Sequence, residues 1–189
     1  GPSGTNTLVQ PALIVAAAMT GGPLDVQFTP VADGQIRNTS PNQNWATLAT
    51  LRVNNGSDYV YRSYLKFDIS GIDGPITKAI LRLYSTDGGP DAGGIWSVSN
   101  AWTETGLTWN TAPALVASPV ATGGVVGVNV WKEFDVSAAV TGSGPVSFGL
   151  ANNDANSIFW SSREGVEPPQ LIVTVEGTVT PPTADFTTT

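Results

Sequence analysis

From Val26 to Glu176, apolar and polar residues alternate in short runs, and no segment sustains a 3.6-residue period. That alternation predicts strands near 26–29, 31–37, 49–53, 59–69, 76–85, 94–99, 128–136, 145–151, 157–163 and 169–176. The breaks carry turn chemistry: Asn54-Asn55-Gly56, Asp73-Gly74-Pro75, Asp87-Gly88-Gly89-Pro90 and Gly142-Ser143-Gly144-Pro145. One helical turn fits between Val136 and Val140. Short strands without βαβ spacing predict an all-β fold, a two-sheet antiparallel β-sandwich of the jelly-roll type.

The same alternation assigns faces. In segment 59–69, Tyr61, Ser63, Leu65, Phe67 and Ile69 share the expected core side, opposite Arg62, Tyr64, Lys66 and Asp68. Leu81 and Leu83 oppose Ile80, Arg82 and Tyr84, while Val130, Phe134 and Val136 oppose Trp131, Glu133 and Asp135. Ala32 and Ile36 are assigned to the core, opposite Asp33, Gln35 and Arg37. Much of the basic charge thus falls on non-core faces among aromatic rings.

Composition makes that pattern informative. The 189 residues hold 8 Lys+Arg against 15 Asp+Glu, a net charge of −7, with no Cys and no His. Thiol chemistry, disulfides, zinc sites built on Cys or His and His-based triads are excluded. Nucleic acid and anionic membrane surfaces are not expected partners for so acidic a chain. Lysine occurs at Lys66, Lys78 and Lys132 alone, and Glu at five positions, too few to dress helix faces.

Residues 1–25 read as a remnant of tag removal (Gly1-Pro2-Ser3-Gly4) and an apolar extension packed on the domain. Pro11 and the missing basic flank argue against a leader or an anchor. Residues 26–176 form the expected domain. Residues 177–189 begin as a Thr/Pro linker, and Pro182-Thr183-Ala184-Asp185-Phe186 resembles the opening of a polycystic-kidney-disease (PKD) repeat. Neighbouring domains of the same chain are therefore expected.

Several blocks resemble a known family. They run Val31-Ala32-Asp33-Gly34-Gln35-Ile36-Arg37, Ser40-Pro41-Asn42-Gln43-Asn44 and Leu51-Arg52-Val53, then Tyr61 to Ser70 and Ala79 to Tyr84. The most specific is Trp102-Thr103-Glu104-Thr105-Gly106-Leu107-Thr108-Trp109-Asn110-Thr111-Ala112-Pro113, followed by Trp131 to Ser137 and Ser161-Ser162-Arg163-Glu164-Gly165. Together they resemble the DNRLRE-type domain, classed as carbohydrate-binding module family 96. The resemblance implies a jelly-roll module on secreted or cell-surface proteins, often beside polysaccharide-degrading enzymes. It also implies alginate, an acidic uronate polymer, as the kind of ligand.

The candidate ligand-binding residues are Arg37, Arg62, Lys66, Arg82 and Arg163 with Tyr64 and Tyr84. Arginine offers a carboxylate two charge-assisted bonds, lysine a point charge and tyrosine a ring face. The alternative is that these cations pair with Asp33, Asp68, Glu133, Asp135 and Glu164 as surface ion pairs worth about 0–1 kcal/mol each. Trp45, on an Asn-rich loop, is the tryptophan best placed to meet a sugar, while Trp102 and Trp109 are expected to pin a long loop across the sandwich. The oxygen-rich loop of Asp33, Asn42 and Asn44 is the candidate site for one structural calcium ion, which takes six to eight oxygens.

Catalysis is not expected. Glu104, Glu133, Asp135 and Glu164 are available as carboxylates, but no His exists to act as a base and no nucleophile elbow is present. A cross-link from Lys66 or Lys132 to Asn or Asp has no specific motif. The sequence therefore predicts a non-catalytic module binding an acidic polysaccharide on a basic, aromatic sheet face. The alternative is a structural or adhesive spacer of a cell-surface protein with no sugar ligand.

Overall fold

A computed structural model describes residues 20–178. The expectations for the apolar run 8–19, the Pro-rich end of the linker and the PKD-like segment lie outside the described residues. Eleven strands and one 3-10 turn make up the described chain. They are β1 (Thr20–Phe28), β2 (Ala32–Arg37), β3 (Thr50–Asn55), β4 (Val60–Ile69), β5 (Ile76–Asp87), β6 (Gly94–Val98), β7 (Ala121–Thr122), β8 (Val130–Asp135), β9 (Gly144–Ala151), β10 (Ile158–Ser161) and β11 (Gln170–Thr178). The turn, Ser137–Ala139, sits where the short helical turn was expected.

All pairings are antiparallel. One sheet contains β1, β11, β5, β8 and β10, and the other β2, β4, β9, β6 and β7. β3 pairs with β10 of the first and β4 of the second, so the sheet curls over itself into the expected sandwich. β1 starts at Thr20, ahead of the expected domain start, and pairs along β11 from Pro23↔Glu176 to Phe28↔Leu171.

Leu51, Val53, Leu65, Phe67, Leu81, Leu83, Phe134, Phe148, Trp160, Leu171 and Val173 fill the space between the sheets. These are alternate residues of their strands, and full burial of each such side chain contributes about 1.5–3 kcal/mol. A second, smaller cluster lies on the outer face of the second sheet: Ala32, Ile36, Tyr64, Trp102 and Leu107, with Val98, Trp109, Ala112 and Leu115 packed against it.

The second cluster corrects the face assignment of β2. Its register on β4 sets Ala32 opposite Lys66, Gly34 opposite Tyr64 and Ile36 opposite Arg62. Directly paired residues point to one face. Ala32 and Ile36 therefore share the outer face with the basic residues, and Asp33 and Gln35 point inward. Both sides of β2 are buried because residues 99–120, between β6 and β7, lie across the outer face. That cover loop carries the Trp102–Pro113 block. Glycine admits it to the sheet: a Cβ on Gly149 would stand 2.3 Å from Leu115 Cδ2, and one on Gly34 would stand 3.1 Å from Leu107 Cδ2.

Candidate ligand-binding site

The residues expected to form one basic face separate into four places. Arg62, Tyr64 and Lys66 alternate along β4 toward the cover loop, where apolar loop residues make burial favourable. Tyr64 is only 1% exposed, its ring meets Trp102 edge-on at 6.2 Å, and its hydroxyl donates to Pro113 O at 2.8 Å. Burial raises its pKa, against the nearby Arg62 charge, which lowers it. A ring so enclosed has no face left for a sugar, which corrects the expectation for Tyr64. Lys66 Nζ donates to Asn100 O at 3.0 Å and to Trp102 O, and lies 4.7 Å from the Trp102 ring centre. Its charge is spent on anchoring the loop. Arg62 stacks over Trp109 at 5.0 Å. Trp102 Nε1 donates to Ser147 Oγ at 3.1 Å, so this tryptophan pins the loop as expected.

Arg37 and Trp45 do come together, at the rim where β2, β3 and β4 end. The Arg37 guanidinium lies 5.4 Å from the Trp45 ring and 5.8 Å from the Tyr61 ring. It donates to Tyr61 Oη at 3.1 Å and Ser40 Oγ at 2.7 Å, and leaves Nε buried without an acceptor. Arg52 also lies by Tyr61, at 4.0 Å from that ring, 5.1 Å from Tyr59 and 5.1 Å from Phe159. Arg52 Nε and Nη2 donate to Ser157 Oγ at 2.9 and 2.7 Å. Tyr59 meets Tyr61 edge-on at 5.6 Å and is 40% exposed. Among the described residues, ion pairs form at Arg82 and Arg163 but not at Arg37 or Arg52. Both rim guanidiniums are bonded to neutral hydroxyls and stacked on rings, a setting that holds a guanidinium in place while leaving its charge uncompensated.

The model of carbohydrate-binding module family 96 matches residues 25–175. The chain belongs to this family. It is a carbohydrate-binding module with a β-sandwich fold, in keeping with the resemblance carried by its motifs. A comparison with curated proteins finds no match. No helix among the described residues is long and apolar enough to cross a membrane.

Arg52, Tyr59, Tyr61 and Phe159 are the parts of the module's rim that sequence reasoning missed. The signal for Arg52 is its position between the core residues Leu51 and Val53, which turns it outward. Tyr61 was assigned to the core and is buried there, but at the strand end, where it carries both guanidiniums. Val60, between the two tyrosines, lines an adjoining cleft of about 260 Å³ with Arg62, Trp96 and Asn152.

Arg82 and Tyr84 lie on the outer face of the opposite sheet, across from Glu133 and Trp131 of β8. This corrects the expectation of a single continuous face. Arg82 Nε stands 3.1 Å from Glu133 Oε1, an ion pair without an aligned hydrogen bond, and Nη1 donates to Gln170 Oε1 at 2.8 Å. Tyr84 packs edge-on against Trp131 at 5.4 Å.

Arg163 belongs to a fourth place, an acidic cluster. Its guanidinium pairs with Glu104 Oε1 at 3.1 Å and Glu164 Oε1 at 2.9 Å, and donates to Val31 O at 2.7 Å. Beside them lies Asp33, with 0% exposure. Burial pushes its pKa up to about 7, opposed by the Arg163 backbone N–H and reinforced by the charges of Glu164 and Glu104. Asn42 and Asn44 have other duties. Asn44 Nδ2 donates to Glu104 O and Leu107 O at 2.7 and 2.9 Å and its Oδ1 accepts from Ala46 N, while Asn42 Oδ1 accepts from Asn110.

Proposed function

We propose that this module binds an acidic polysaccharide, a uronate chain such as alginate, at the rim of Arg37, Arg52, Trp45, Tyr59 and Tyr61. The observation that carries this reading is the pair of stacked guanidiniums with no carboxylate partner in a chain of net charge −7. In so acidic a molecule an arginine is readily neutralised by a neighbour, and Arg82 and Arg163 are. Arg37, Arg52 and Arg62 are not; Arg62 stacks on Trp109 of the cover loop, whereas Arg37 and Arg52, both braced on Tyr61 at the rim, offer successive uronate carboxylates forked charge-assisted bonds. Trp45 and Tyr59 supply ring faces for the sugars.

The module acts without catalysis. Glu104 and Glu164 are tied to Arg163, Glu133 to Arg82 and Asp135 to Ser137, which supports a binding role over an acid–base pair facing substrate. Its setting is a secreted or cell-surface multidomain protein. The test is affinity electrophoresis in gels containing alginate, pectin, hyaluronate or a neutral glucan. Retardation is expected in a uronate gel, weakened by salt and abolished by Arg37→Ala/Arg52→Ala. Unretarded migration in every gel would overturn the proposal and favour the spacer role.

A further inference from the structure

Among the described residues, Asp33 is the buried carboxylate with an unpartnered oxygen. It sits on β2 pointing inward, and its Oδ2 accepts the Arg163 backbone N–H at 2.8 Å. Its Oδ1 is buried with no hydrogen-bond partner at all. A buried, unpartnered carboxylate oxygen costs several kcal/mol unless a proton or a cation meets it.

Around this carboxylate the chain gathers two further carboxylates from distant segments. Glu104 comes from the cover loop and Glu164 from the turn after β10, and one oxygen from each of the three residues lies within 4.8 Å of the others. Calcium takes oxygen ligands at about 2.3–2.6 Å, so opposite ligands on one ion stand about 4.6–5.2 Å apart. Magnesium, at about 2.0–2.1 Å and strictly octahedral, needs a tighter cage. The donor set is all oxygen, the preference of a hard cation, in a chain with no Cys or His. Arg163 offsets part of the negative charge of the glutamates; to Asp33 it donates a hydrogen bond from its backbone N–H alone, although its charge is felt there too.

We propose that Asp33, Glu104 and Glu164 form a calcium site that staples β2, the cover loop and the 162–165 turn together. The site keeps Asp33 from the sequence expectation and replaces the two asparagines with glutamates. Its effect is on the cover loop: Glu104 follows Trp102 by two residues, so an ion at this point fixes the loop end that roofs Tyr64 and Lys66. The site is separate from the rim and does not depend on the sugar-binding reading.

The experiment is thermal unfolding of the whole chain, without sugar, in excess EDTA and then in millimolar calcium chloride or magnesium chloride, with calorimetric titration of calcium chloride into metal-free protein. Calcium is expected to raise Tm by about 5–10 °C, the shift that saturation near 100 times Kd gives in a domain of this size, and magnesium by less. Asp33→Asn, which preserves shape, is expected to keep the parent circular dichroism spectrum and to lose the calcium shift and the binding heat; Glu164→Gln serves as a second variant should Asp33→Asn not fold. Equal melting in EDTA and calcium with no binding heat would overturn the proposal and assign the buried oxygen to a shared proton. A full calcium shift retained in both variants would overturn it as well.

Discussion

The rim and the covered face are built from the same residue types and used in opposite ways. On the covered face, Lys66 and Arg62 stand over Trp102 and Trp109, and the lysine ammonium is consumed by two loop carbonyls. At the rim, Arg37 and Arg52 stand over Trp45, Tyr59 and Tyr61 with hydroxyl partners only. A cation next to an aromatic ring is therefore not by itself a sign of a ligand. What distinguishes the two regions is the chain that crosses the strand. Where the cover loop lies over β4 the cation becomes part of the fold; where the strands run out, its charge remains available.

The sharpest way to test that distinction is to remove the cover. Trp102→Ala empties a large buried site and strips Ser147 and the loop of a partner. It is expected to lower stability by about 3–5 kcal/mol in urea unfolding. The folded fraction of this variant, assayed well below its midpoint, should still be retarded in a uronate gel. Loss of retardation there, with Arg37→Ala and Arg52→Ala unaffected, would move the binding site onto the covered face and reverse the comparison.

A matched pair of single changes comes next. Arg52→Ala is expected to weaken uronate binding by about 10–100-fold, the loss of one charge-assisted contact of about 1.5–3 kcal/mol, with little change in unfolding midpoint. Lys66→Met is expected to do the reverse. It leaves the carbonyls of Asn100 and Trp102 without their donor, costs about 1–3 kcal/mol of stability and leaves binding unchanged. A third region completes the set. Arg82→Gln on the opposite sheet breaks a partly solvated ion pair with the exposed Glu133, and is expected to cost about 0–1 kcal/mol with no effect on retardation.

The sandwich itself was legible because strand alternation and turn residues are local signals. Leu65, Phe67, Leu81, Leu83 and Phe134 fall where a period of two puts them. The covered face was not legible by that rule. Alternation tells which residues share a face of a strand, but not whether the far face meets water or a loop that returns from forty residues away. Ala32 and Ile36 were for that reason given to the wrong face, and Tyr64 was expected in the open. Arg37 was singled out by strand alternation and Trp45 by its Asn-rich loop, and the structure sets the two side by side at the rim. Arg52 and Phe159 meet only through the β3–β10 pairing, a contact set by tertiary register. The acidic cluster likewise joins Asp33 to Glu104 and Glu164 across segments that no sequence spacing relates.

The smallest test concerns an acid that is open to solvent and still claimed by the fold, the anionic counterpart of Lys66. Asp135 Oδ1 accepts the Ser137 hydroxyl at 2.6 Å and the Ser137 N–H at 3.0 Å. These bonds, chiefly the hydroxyl, hold its pKa below the ordinary 3.8, with a further contribution from the Lys78 charge. Both bonds favour the ionised form, so the stabilisation is present above that ordinary value and fades as the pH falls through the lower folded value. Asp135→Asn keeps the acceptor oxygen but not the charge. Its urea midpoint is expected to lie slightly below that of the parent near neutral pH and to converge with it in acid, with uronate binding unaltered. A gap that persists in acid would mean that Asp135 acts through shape rather than charge. Uronate binding that tightens in Asp135→Asn would mean that the polymer approaches this sheet, and the rim would then not be the only place where it is felt.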